Sequence, residues 1–408
     1  MRILFYSSLY PTAKNPVHGI FVRELAREVA RLAEVRVVAP ENGLRSLLAR
    51  PAGTAGPPRP EAHVDRCRFW TVPKLFKHLD GRLLAAWSRG AFERAAGFEP
   101  DLVHAHYAYP DGAAAARLAA GAGLPLVVTC HGSDIHVLAR DPARRGPIAA
   151  ALGQAAAVVA VSRDLAGRIA ELGVDPGRIH HIPNGVDLSR FPLAGKAAAR
   201  RALGLAEDGP LLVAVGRLEP VKGYDRLLRA LALLPGVRLV LAGDGSLGQA
   251  LARLARECGI SGRVRFAGAV PHEALAPYYQ AADALVLASH SEGWPTVIHE
   301  GLACGTPVVA PAVGGIPEAL AEPGLGVLVA SAEPAPLAEG IRQALARPWD
   351  AAALRRAAEA HGWSAVAGRH LALYAEVLGL SPSPEKEVSP HVAVAPDPAC
   401  GPRTASAR

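Results

Sequence analysis

Short apolar, β-prone runs alternate along this chain with longer segments whose apolar residues recur at helical spacing. The first run, Ile3-Leu4-Phe5-Tyr6, enters a polar loop holding Pro11, Asn15, Pro16 and Gly19. Phe21, Leu25, Val29 and Leu32 then repeat at the spacing of one helix face, and Val35–Ala39 is the next run. Strand, helix, strand in this order predicts a parallel βαβ unit. The pattern returns at Leu102–Ala105, Leu126–Val128 and Val158–Val161, while residues 40–62, rich in Pro and Gly, read as a mobile loop. A second series begins at Leu211–Val215 and continues at Val237–Leu241, Val264–Phe266, Ala284–Leu287, Val308–Ala310 and Val327–Val329, with helical segments between. The turn residues Asn184-Gly185-Val186-Asp187 mark the boundary.

The fold class that follows is α/β, with two Rossmann-like, doubly wound parallel-sheet domains facing a cleft. Residues 1–187 form the first and 188–360 the second; a helix over 361–380 is expected to pack back on the first. The Pro- and Ser-rich stretch 381–408 is expected to be disordered. A chain of 408 residues, half of them hydrophobic, is too long for one ordinary core, which agrees. In such sheets ligands bind outside the carboxyl ends of the strands, so the cleft is where chemistry is expected.

Charge and cysteine content change the picture little. The net charge is +7, and residues 1–187 carry 23 Lys and Arg against 17 Asp and Glu. That surplus reads first as composition bias, and alternatively as attraction to an anionic membrane or an anionic acceptor; nothing points to nucleic acid. The five cysteines are scattered and form no Cys-x-x-Cys, so neither a disulfide framework nor a zinc site is expected. The opening MRILFYSSLYP lacks the long apolar stretch of a secretory signal, and a cytoplasmic protein is expected, with a peripheral place at the membrane's inner face open to it.

The strongest chemical constellation lies in the second half. Val215-Gly216-Arg217-Leu218 ends a strand, and Lys222-Gly223 opens the next helix. Two fixed cations beside free helix amides make a diphosphate site; the plainer alternative is a surface salt bridge to Glu219 or Asp225. The second element is Ser291-Glu292-Gly293-Trp294-Pro295-Thr296, running to His299-Glu300. Pro295 and Thr296 suit a helix start, which puts Glu292 in the loop before it and Glu300 about one turn inside. In the first half, His131 follows the run Val127-Val128-Thr129-Cys130 and is expected at a strand end, near Asp134. His104 and His106 share one strand face, and a structural or acceptor-side role is expected for them rather than metal binding.

Taken together these motifs resemble the retaining GT-B glycosyltransferases of family 4. Glu292 and Glu300 match that family's Glu-x7-Glu signature, and Gly216-Arg217-Leu218 with Lys222-Gly223 matches its diphosphate motif. Pro16 to Val22 looks like its glycine-bearing donor loop, His131-Gly132-Ser133-Asp134 like its HGxD segment, and Pro183 to Asp187 like the entry to its second domain. The resemblance covers about residues 1–380. It implies that Arg217 and Lys222 hold the donor diphosphate, Glu300 the ribose and Glu292 the transferred sugar. Gly293, Trp294, Pro295 and Thr296 would present backbone amides, and Val270 would meet the nucleobase. His131 would sit near the reacting sugar, Gly19 would let the first loop approach the phosphates, and Asp134 and Asn184 would join the substrate-binding set. Trp294 stands where the family usually has Phe, which would alter the sugar pocket.

The resemblance further implies a retaining, metal-independent hexosyl transfer from a UDP- or GDP-linked donor, with no cofactor, to a sugar or lipid-linked acceptor. A place in cell-surface polysaccharide or glycolipid synthesis follows by analogy. Rival readings are a sugar-nucleotide epimerase of the same shape, a dehydrogenase and a non-catalytic scaffold; neither first strand leads into the G-x-G-x-x-G of a dehydrogenase.

Overall fold

The computed structural model describes residues 1–12, 15, 18–43, 63–71 and 75–380. Among these, every paired strand runs parallel to its neighbours, in two separate sheets. The first sheet has the order β3-β2-β1-β4-β5-β6-β7, built from β1 (Arg2–Tyr6), β2 (Glu34–Asn42), β3 (His63–Phe69), β4 (Leu102–His106), β5 (Leu126–Cys130), β6 (Ala157–Ala160) and β7 (Ile179–His181). The second has the order β10-β9-β8-β11-β12-β13, built from β8 (Leu211–Val215), β9 (Arg238–Ala242), β10 (Val264–Gly268), β11 (Ala284–Val286), β12 (Val308–Pro311) and β13 (Gly326–Val329). This is the two-domain GT-B architecture. In each sheet the first strand lies between strands on either side of a reversal in winding, which opens a crevice at the carboxyl ends of β1 and β4 and of β8 and β11.

Helices on both faces explain why these strands are nearly continuous apolar runs: β4 and β5 are buried at every position. Helix Ile20–Val29 turns Val22, Leu25, Ala26 and Val29 to the sheet. The last helix among the described residues, Trp363–Val377, packs Trp363, Val366, Leu373 and Tyr374 into the same cluster, so this segment returns to the first domain. Backbone bonds from Val186 N to His361 O and from Trp363 N to Val186 O fasten the two crossings together.

Three local expectations change. The stretch 40–62 is not a loop throughout, because β2 runs on to Asn42; residues 44–62 lie outside the described residues, as does the stretch 381–408. Strand β3 was not legible, since His63-Val64-Asp65-Arg66-Cys67-Arg68-Phe69 alternates weakly and sits at an edge, where only one side must pair. Leu32 lies beyond the helix it was assigned to and is exposed.

Candidate active site

Strand β8 ends at Val215, and the chain turns through Gly216 and Arg217 into a short turn of helix, Pro220–Lys222. Gly223, in a left-handed conformation, caps helix Tyr224–Ala232, and no side chain caps it. The Lys222 stem passes beside Gly216, and its Nζ reaches Glu292 Oε1 at 2.6 Å. The two motifs, 70 residues apart in sequence, therefore meet in one place. Lys222 pairs with neither Glu219 nor Asp225; Arg217 is exposed and makes no ion pair among the described residues, though after the hydrogen bonds from Ser246 its charge also helps hold the Glu219 carboxyl low. Helix Thr296–Ala303 begins at Pro295 without a side-chain cap, so its first amides are free for an anionic or polar ligand.

Glu300 lies within that helix and is 5% exposed. Its Oε2 accepts from the Tyr279 hydroxyl at 2.6 Å, and its Oε1 from His272 Nε2 at 2.9 Å. Arg190 NH1 lies 2.7 Å from His272 Nδ1. A guanidinium only donates, so Nδ1 must accept and the ring proton is on Nε2, facing Glu300. Burial alone would push the Glu300 carboxyl up; the hydrogen bonds from His272 and Tyr279, with the Arg190 charge behind His272, outweigh it and hold the group below the usual carboxylate range. Each carboxylate oxygen keeps a free lone pair for a diol. Sequence reasoning missed Arg190, His272 and Tyr279. Only the fold brings them to Glu300; the one local signal was that His272 follows the β10 turn, where Val270 lies half-buried against the core.

The first domain closes the site from the other side. His131 follows β5, and its backbone N donates to Asp134 Oδ1 at 3.1 Å. Asp134 is fully buried and also accepts from Gly132 N at 2.8 Å and Ala108 N at 2.9 Å. Its expected place in the substrate set is therefore corrected: the carboxylate is occupied by three amides and shapes the His131 loop. Asp134→Ala strands those amides, each worth about 1–3 kcal/mol when left unpaired in the interior. Chemical denaturation is expected to show a loss of about 3 kcal/mol or more, and a loss under ~1 kcal/mol contradicts this role.

Gly132, at φ 118°, approaches Gly293 so closely that a Cβ on it would lie 2.8 Å from the Gly293 Cα. A Cβ on Gly293 would fall on the His131 carbonyl oxygen. Both residues must lack side chains for the domains to meet. Elsewhere along the seam His136 Nδ1 meets Ser291 Oγ at 3.1 Å, and Glu318 accepts from Arg163 N at 2.8 Å. Gly293→Ala is expected to lower kcat/KM about 10²-fold, the cost of misplacing reacting groups by roughly 1 Å, at little cost in melting temperature. Steady-state kinetics beside a thermal melt checks this; unchanged kinetics removes the closure argument.

The remaining expected residues are placed as follows. Asn184 is half-buried in the crossing between β7 and β8. Gly19 starts its helix at φ 68°, and a Cβ there would fall on the Leu9 carbonyl oxygen, so a backbone contact already requires a glycine. Pro295 and Thr296 form the tip of helix Thr296–Ala303. Trp294 is a correction as far as its side chain is concerned. The indole is 7% exposed, stacks on His299 at 5.1 Å and meets His181 edge-on at 6.4 Å, so it fills the domain seam. A buried Asp111, which the sequence did not single out, accepts from Ser8 at the end of β1, and burial pushes its carboxyl up to about 7.

Two facing Rossmann-like domains, with Lys222 meeting Glu292 and an uncapped helix tip at the seam, define the class of GT-B sugar transferases. Two family models divide the chain accordingly: Glycosyltransferase Family 4 matches residues 18–190 and Glycosyl transferases group 1 matches residues 195–361. A D-inositol 3-phosphate glycosyltransferase of Frankia alni is 35% identical over 88% of this chain and 94% of its own length. D-inositol 3-phosphate glycosyltransferase 1 of Catenulispora acidiphila is 37% identical over 78% and 79%. The chain belongs to the group 1, family 4 glycosyltransferases and is an enzyme of that class, acting with a nucleotide-sugar donor. Among solved structures, sucrose-phosphate synthase from Thermosynechococcus elongatus has a TM-score of 0.76 at 25% identity, covering 93% of this chain and 99% of its own. HepE of Anabaena in complex with UDP and glucose has a TM-score of 0.71 at 22% identity, covering 92% and 100%, and shares the fold. No helix among the described residues is long and apolar enough to cross a membrane.

Proposed function

We propose that the chain moves a hexose from a nucleoside diphosphate sugar, UDP- or GDP-linked, to an acceptor hydroxyl with retention at the anomeric carbon. The observation that carries this is the 2.6 Å contact of Lys222 Nζ with Glu292 Oε1, which joins the diphosphate motif to the sugar motif. The C1–O bond to the diphosphate breaks and the acceptor oxygen bonds C1 on the same face. The acceptor's proton leaves on the departing phosphate oxygen. Charge grows on that diphosphate during the step, so Lys222, Arg217 and the amides at Thr296 favour the transition state over the ground state. With two cations supplied by the protein, activity is expected to persist in EDTA. The test is a nucleotide-sugar panel with release of free nucleotide as readout, followed by assignment of the anomer formed; an inverted product overturns retention.

Support for an anionic acceptor comes from the relatives, which act on D-inositol 3-phosphate by name, and from the basic first domain. We place the acceptor in cell-surface polysaccharide or glycolipid synthesis, on the cytoplasmic side of the membrane. Arg82, Arg89 and Arg117 line a shallow hollow of about 490 Å³ with no carboxylate among its lining residues, and Trp87 beside them is 52% exposed. That face suits an anionic lipid surface. Comparing inositol 3-phosphate with lipid-linked acceptors separates the acceptor classes, and flotation on anionic against zwitterionic vesicles tests the membrane contact.

A further inference from the structure

We infer that His106 is a positioning residue that fixes the tautomer of His131 and so leaves an N–H on His131 Nδ1 for an oxygen of the bound donor. The inference rests on the proposed role of His131 beside the reacting sugar. His106 is the last residue of β4, 1% exposed, and its Nδ1 lies 3.1 Å from His131 Nε2. The rings are near parallel, at 22°, and His106 is also stacked on Phe5 at 5.4 Å, so it is held in place on both sides.

One nitrogen of the pair must donate and the other accept, since both rings are kept neutral: burial first, and neighbouring histidines second, depress both groups below the usual imidazole range. Two arrangements exist. If His131 Nε2 donates, His106 carries its proton on Nε2, an atom that is buried with no partner and walled in by Phe5 and by His104 at 4.2 Å. That leaves a permanently orphaned N–H. If His106 Nδ1 donates, the permanent orphan is only a lone pair, which costs less. The unpaired N–H is then Nδ1 of His131, which is also buried and without a partner in the protein, with Phe21 at 4.4 Å, but it sits in the loop that meets Gly293 at the cleft, where a bound donor can supply its acceptor. His104 cannot take over this role, because Tyr374 at 2.6 Å and Thr129 at 2.7 Å already occupy both of its nitrogens.

The test has two arms. Long-range ¹H–¹⁵N spectra of histidine-labelled protein, saturated with the nucleotide sugar that the donor panel identifies, should show His131 protonated on Nδ1; protonation on Nε2 overturns the inference whatever His131 does in catalysis. In kinetics, His106→Leu should lower kcat at least tenfold, whereas His106→Asn, whose amide nitrogen stands where Nδ1 stood, should stay within threefold of the unmodified enzyme. Equal activity of the Leu variant and the unmodified enzyme overturns the positioning role. If His131→Ala leaves kcat unchanged while the spectra still show Nδ1–H, the role of His131 fails and the tautomer assignment stands.

Discussion

Lys222→Ala is expected to lower kcat at least tenfold, and about 10²-fold if Lys222 acts like a single oxyanion donor, while the fold survives. The lysine is part-buried, and its ammonium is committed to Glu292 in the absence of donor. On the proposed assignment, that ammonium moves onto the leaving oxygens when a diphosphate arrives. Because the charge it meets grows only as the glycosidic bond breaks, the loss should fall on kcat more than on KM for the donor. A second effect has the same sign: without its partner the Glu292 carboxylate, 9% exposed, is left with an uncompensated charge. Lys222→Met separates the two contributions of the side chain, since it keeps most of the stem and removes only the charge. Both variants should lose activity alike, with melting temperatures lowered alike and the fold intact. Retained turnover in the Met variant would show that the ammonium has no part in the reaction.

Acidification is expected to destabilise the protein, with stability beginning to fall near pH 6.5 and continuing to fall toward pH 4. Burial holds the imidazoles of His181, His361 and His370 down at about 4 and that of His131 at about 3. His104, His106, His136 and His299 are displaced in the same direction, again by burial first. An unfolded histidine takes its proton near pH 6.5, whereas His181, His361 and His370 refuse it until about pH 4, and the other five also take it at lower pH when folded. Between those values the unfolded state binds more protons, so stability falls with pH by about 1.4 kcal/mol per unit for each such histidine. Three carboxyls oppose this. Asp111, pushed up to about 7, and Asp134 and Glu318, raised by burial, take protons more readily when folded. Eight histidines outweigh three carboxyls, so the net slope keeps its sign. Melting temperature measured from pH 7.5 to 4 should drop steeply below pH 6.5. A flat profile to pH 4.5 would mean that these rings are reached by solvent.

The outline of the fold was legible because burial on both faces makes a parallel strand an uninterrupted apolar word. Val213, Leu239, Leu285 and Val309 could be read without neighbours in view. Strand β3 could not, because its Asp65, Arg66 and Arg68 occupy an edge where backbone pairing with β2 decides the structure. The site divides along the same line. Arg217, Lys222, Glu292 and Glu300 sit at strand ends and helix starts, positions that local pattern marks. His272 and Tyr279 reach Glu300 directly and Arg190 reaches it through His272, and nothing local to any of them says so. Asp134 and Trp294 mislead for a related reason: a motif fixes the path of the backbone, but the side chain answers to whatever the fold packs against it. For Asp134 that is three amides, and for Trp294 a set of histidines at the seam.

The most direct test of the diphosphate assignment is calorimetric titration of the unmodified enzyme and the Lys222→Ala variant with UDP and with uridine. Lys222 should matter only when phosphates are present: the variant should bind UDP at least tenfold more weakly and uridine with unchanged affinity. Equal UDP affinity in the two proteins, or an equal loss for uridine and UDP, would contradict the account.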